Sequence, residues 1–215
     1  MADERPSPDL LLLRVLFYEV ATQCRLVLFA ASDLQGALEA IRARRGMPRN
    51  QVELLLRPWV PLQGIMIAAA NIAKILWGSD ERKTTRARRE RREATRQHIR
   101  KALAVTDASP LKARGVRNWF KHIDEKLEER MGEEKPGPIV MRGIGPPNMI
   151  HGAKPDSAFG HFDPATWELS FWDRSLPVLG VVREVERILP LAEAAAQESF
   201  TRYVEEFRAR PGTSP

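Results

Sequence analysis

One cysteine in 215 residues, Cys24, leaves no partner for an internal disulfide. It lies within an apolar helical pattern, so a buried thiol is expected rather than a nucleophile, and a reducing, cytoplasmic setting follows. Paired cysteines and an HExxH run are absent, so no zinc site is indicated, and nothing calls for a metal or another cofactor. The elbow motif of Ser-His-Asp hydrolases is missing as well. Gly143 and Gly145 lack the strand-to-helix context and the further glycine or lysine of a phosphate loop. The N-terminus, MADERPSP, carries acids where a secretory signal has a basic start, so export is not expected. No long apolar run is uninterrupted: Arg14, Glu19 and Arg25 break the first, and Gln63, Asn71 and Lys74 the second, which argues against a membrane partner.

What is present is the composition of an ordinary globular protein, 43% hydrophobic and 29% charged. Its length suffices for one sizeable core, and no stretch resembles a long disordered linker, so 1–215 is expected to be a single domain. Ser7 and Pro8 suit a helix cap and first turn, and Gly46 a stop, which predicts a long helix over about 8–45. Its apolar positions step by three and four through Leu10, Leu13, Phe17, Val20, Cys24, Val27, Ala31, Leu34, Leu38 and Ile41, and Leu11, Leu12, Val15, Leu16, Leu26 and Leu28 widen the stripe beyond one side. Such a helix must be covered on more than one side, at the centre of a bundle or at a dimer interface. A second helical region over about 49–78 should break where Pro58 and Pro61 remove backbone donors, and Gly78 ends it.

The next helix, about 80–105, is of a different character. Over 80–101, ten basic residues face four acidic ones, a net of +6 that equals the formal excess of the whole chain. Arg86, Arg89, Arg92, Arg96 and Arg100 are the candidate contacts to an acidic polymer such as RNA. The competing reading is a solvated, partly paired helix face. The run lacks the interleaved aromatics of a stacking platform for single strands.

Ser109 and Pro110 open a further predicted helix, 109–131, of about six turns, with Gly132 as a left-handed stop. On it Asn118 and His122 stand four residues apart on one face, and the long stem of Arg117 can bring its guanidinium to the same surface. The three supply a fixed cation, a neutral amide and a group able to move a proton near neutral pH. Spacing alone decides nothing, because an Arg followed five to seven residues later by a His is expected about 1.5 times by chance, and Arg91 and Arg92 also precede His98 in that way. Arg117 differs in its surroundings: Asn118 follows it, Trp119 and Phe120 add apolar bulk, and Asp124 and Glu125 come just after the histidine.

The run RNWFKHIDEKLEE resembles the signature helix of the HEPN superfamily, in which an Arg, often followed by Asn, precedes a His by four to six residues. It is similar in particular to bacterial HEPN-like proteins whose motif reads RN, three residues, H, x, D, E, R, L, with Lys126 here in place of that Arg. The resemblance is strongest over about 109–130, extends to 158–207, and is only architectural over the first 105 residues. It implies a mainly α, HEPN-like helical bundle of four to five long helices with a small β-hairpin before the last helix, a homodimer, and in active branches metal-independent RNA cleavage. Arg117, Asn118 and His122 would then be catalytic, with Asp124 and Glu125 in support. An antitoxin or other protein is the further partner implied, and a binding module that cleaves nothing is the alternative.

Beyond the motif, 133–157 should be irregular apart from a short strand at Ile139 to Met141. A β-hairpin is expected over about 158–172, turning at DPAT, with Trp167, Leu169 and Phe171 alternating against Glu168 and Ser170. His151 and His161 read as loop or strand-surface residues. A last helix over about 176–207 is expected to kink at Pro190.

Overall fold

Asp9 starts the first helix: its carboxylate accepts the backbone N–H groups of Leu11 and Leu12 at 2.9 and 3.2 Å. The computed structural model describes residues 9–43, 52–78, 85–112, 123–132, 141–146, 159–172 and 174–209, so the expected cap at Ser7 and Pro8 lies outside them. Helix α1, Leu10–Ala43, runs 34 residues, about 50 Å. It buries Leu13, Phe17, Val20, Cys24, Val27, Leu34 and Leu38 as the spacing predicts, while Leu10, Ala31 and Ile41 of the same stripe are half-buried.

The second helical region breaks once. Helix α2, Val52–Leu56, ends before Pro58, and α3, Trp59–Trp77, follows. Pro61 lies in the first turn of α3, where its missing N–H leaves no hydrogen bond unmade. By length and apolarity Glu53–Trp77 could cross a membrane, but 56% of its apolar window is buried, as in a core helix. Gly78 ends α3 at φ +79°, as expected.

Helix α4, Arg86–Ala102, is the basic one. Within the predicted 109–131 helix, the structure describes a 3-10 turn at Pro110–Lys112 and helix α5 at Ile123–Met131. Gly132 adopts no positive φ; its N–H donates to Glu128 O at 3.0 Å, prolonging the helical pattern.

A four-stranded sheet follows: β1 Gly143–Ile144, β2 His161–Asp163, β3 Glu168–Phe171 and β4 Arg174–Pro177, in that order. β1 is parallel to β2, and the other neighbours are antiparallel. The expected hairpin is β2–β3. Asp163 accepts the Ala165 N–H at 2.9 Å to fix its turn, and Leu169 and Phe171 face inward. Residues 139 and 140 of the expected strand at 139–141 lie outside the described residues, and a short strand is described at 143–144. β4 occupies the start of the segment assigned from spacing to the last helix, because Leu176 pairs with Leu169 before the chain turns helical. Helix α6, Val178–Arg208, carries Pro190 within it.

The fold is mainly α, with the small sheet ahead of the last helix. Its centre is α1, packed against α3 and α6. One core includes Phe17, Leu62, Ile65 and Ile188 from the helices with Phe162 and Leu169 from the sheet. Trp59 joins the two layers, donating its indole N–H to Arg142 O at 3.1 Å and meeting Phe171 edge-on. Gly160, at φ +126°, lets that ring approach: a Cβ there would stand 3.0 Å from it.

Candidate nucleic-acid interface

Arg117, Asn118 and His122 lie outside the described residues, whereas both flanks of the motif are described. Upstream, the chain is fastened at several points. Ser109 donates its hydroxyl to Glu184 Oε1 of α6 at 2.8 Å, and Leu111 is buried. Arg187, one turn on from Glu184, donates to that carboxylate at 2.9 Å and to Leu103 O at 3.1 Å. The Arg187 guanidinium, and after it the Ser109 hydroxyl, hold the Glu184 carboxyl below its ordinary range against the opposing effect of partial burial. On the α3 side, Asp107 accepts the Trp77 indole N–H at 2.9 Å and pairs with Lys112 at 2.8 Å, which lowers its pKa. The turn that leads into the motif is therefore tied to two core helices at once. Downstream, Asp124 and Glu125 occupy the first turn of α5, both exposed, where the helix dipole favours negative charge.

The arginines of α4 divide by position. Residues 85–91 are exposed, so Arg86 and Arg89 stand on the surface together with Arg88 and Arg91. Arg86 pairs with Glu90 at 2.7 Å. Arg92 is half-buried, and the side chains of Arg96 and Arg100 are only 20% and 18% exposed. Arg100 donates to Leu76 O at the end of α3 and to Glu93 at 2.7 Å, while Arg96 lies 4.0 Å from Glu93, its guanidinium where a Cβ on Gly78 would be. Arg96 and Arg100 are thus engaged in closing the C-terminal end of α3. Arg86, Arg88, Arg89, Arg91 and Lys101 are the exposed basic side chains of this helix, Arg86 among them paired with Glu90, and exposed cations of this kind can neutralise phosphates along a strand.

Arg88 and Arg91 were not among the sequence candidates, yet the signal was present. Ile99, the one large apolar residue of α4, is fully buried, and Arg92, Arg96 and Arg100, within two turns of it, are half-buried, whereas 85–91 lie further along the helix and are exposed. The rival Arg91 and His98 are both exposed and stand two turns apart, about 10 Å along the axis. His98 itself is exposed, with its ring 6.4 Å from that of Phe17.

His161, expected on a strand surface, is 7% exposed in β2, and its Nε2 is shielded with no hydrogen-bond partner. His151 lies outside the described residues. No group of three or more His, Cys, Asp or Glu among the described residues could hold a metal ion. Comparison of the chain with protein-family models, with curated proteins and with solved structures finds no match.

Proposed function

We propose that this chain is a HEPN-like, metal-independent endoribonuclease acting in the cytoplasm as a homodimer. The observation that carries the reading is the grouping of Arg117, Asn118 and His122 in RNWFKHIDE, followed by a small sheet and a last helix as in the family it resembles. His122, with an unperturbed pKa of about 6.5 for its residue type, takes the proton of a ribose 2′-hydroxyl. The 2′-oxygen attacks the adjacent phosphorus, the bond to the 5′-oxygen breaks, and the departing oxygen takes up a proton. Arg117 holds the phosphate and offsets the charge gathering on it. Asn118 orients His122 or bonds a phosphate oxygen, and Asp124 or Glu125 tunes the imidazole. One histidine serving as both base and acid is awkward; motif helices facing each other across a two-fold axis supply a second His122 and a second Arg117.

A second reading is supported by the exposed Arg86, Arg88, Arg89 and Arg91, whose attraction for phosphate does not require His122 to act. On it the chain binds RNA, a nucleotide or a protein partner, such as an antitoxin, without cleaving. Incubation of RNA with the wild type and His122→Ala, with and without chelator, separates the two. Cleavage that is unaffected by chelator and falls about 10²–10⁴-fold in the variant supports the nuclease. Cleavage that survives the substitution removes the catalytic assignment, and salt-sensitive binding without cleavage favours the second reading.

A further inference from the structure

Trp77 is the last residue of α3, half-buried, packed against the edge of the core with the rest of its ring at the surface. Its orientation is fixed by the indole N–H, which donates to Asp107 Oδ1 at 2.9 Å. Positive charge gathers round it. Lys112 Nζ stands over the ring, 6.0 Å from its centroid. Arg100 donates to the carbonyl of Leu76, the residue before Trp77, and the Arg96 guanidinium lies against Gly78, the residue after it. The carboxylates nearby are matched: Asp107 pairs with Lys112 at 2.8 Å and Glu93 with Arg100 at 2.7 Å. Among the described residues, Lys112, Arg96 and Arg100 therefore outnumber the acids at this helix end.

The cation above the ring does not close it. At 6.0 Å Lys112 is at the outer limit of a cation–π contact, whereas Arg14 lies 3.5 Å from the centre of the Phe200 ring. Its flexible four-carbon stem can swing aside for a flat group. The basic run of α4 has no aromatic among its cations, yet the fold sets one beside them from another helix. From Arg96, at this end, the exposed Arg91 and Arg88 are five and eight residues back along α4, about 8 and 12 Å. In the other direction five residues of chain, at most about 18 Å, lead from Lys112 to Arg117. We propose that Trp77 is a stacking platform for an unpaired nucleobase, with Lys112, Arg88 and Arg91 holding the phosphates that flank it. A ring held by both packing and a hydrogen bond is already in place before the base arrives, and stacking on it tolerates any base because every base has a π-face. The inference rests on the RNA-binding side of the reading above and not on cleavage.

Fluorescence anisotropy of the full chain tests it, using labelled single strands of about 12 nucleotides, within the usual range of such sites. The strands are 2′-O-methylated, which bars attack by the 2′-oxygen, and are compared with abasic strands of the same backbone. The wild type should bind the base-bearing strand about 5–150-fold more tightly than the abasic one, the range that a stacked base supplies. Trp77→Leu should lose that preference while its affinity for the abasic strand holds. Trp77→Phe, which also lacks the N–H donated to Asp107, should keep most of it. Loss of the preference in Trp77→Phe would ascribe the effect to the hydrogen bond and overturn the platform, as would a preference that survives in Trp77→Leu. Equal affinity of the wild type for the two strands overturns the inference and leaves charge-driven RNA binding standing. Binding to neither strand removes that reading as well.

Discussion

Cys24 and Glu184 show how far single residues depend on what packs round them. Burial pushes the Cys24 thiol up to about 12, which leaves roughly 10⁻⁴ of it as thiolate at pH 8. Iodoacetamide should therefore spare the native protein at that pH and alkylate it only in denaturant; rapid labelling of the folded chain, read by mass spectrometry, would contradict the burial. Glu184 behaves oppositely. Its carboxyl has a lower pKa folded than unfolded, so the stabilisation is present above the ordinary value of 4.5 and is lost as pH falls through the folded value. The stability difference between wild type and Glu184→Gln in urea titrations should be largest near neutral pH and shrink below about pH 4.5. The inert role of Cys24 was legible from its place in an apolar stripe. The Ser109, Glu184 and Arg187 network was not, because Ser109 and Glu184 are 75 residues apart and only the packing of α6 against the 103–112 segment joins them.

At the scale of one element, α4 carries two kinds of arginine. On the RNA reading, replacing Arg88 and Arg91 by Gln should reduce the slope of log affinity against log salt by about 0.7 for each phosphate no longer neutralised, with little change in melting temperature. Arg96→Gln should do the reverse, lowering the melting temperature while the slope holds, because its guanidinium sits at the end of α3. Equal effects on the slope would mean that the helix does not present its cations as the burial pattern indicates. Charge density marked α4 in the sequence. Which charges face solvent is decided by where α3 covers the helix, at Arg96 and Arg100 rather than at 85–91.

For the molecule as a whole, the helices and the sheet share one core, so they should unfold together. Trp59 is the link. Trp59→Ala removes a fully buried ring, its hydrogen bond to Arg142 and its edge contact with Phe171, and should cost about 3–5 kcal/mol in denaturant unfolding. A far-ultraviolet transition displaced from the tryptophan fluorescence transition would show two separate cores instead.

The sequence by itself determined the helical class, the apolar face of α1, the break at Pro58 and the hairpin, because each is written in local periodicity or in the fixed φ of proline. Helical spacing also suggests grouping Arg117, Asn118 and His122, which lie outside the described residues. Tertiary structure decided what local pattern does not encode. It made β4 a strand by supplying Leu169 as its neighbour, sealed His161 within the sheet, turned Arg96 and Arg100 onto the end of α3, and left one side of α1 uncovered. Each of these depends on which surfaces meet across the fold, and a side chain's exposure is fixed by its distant neighbours rather than by its neighbours in the chain.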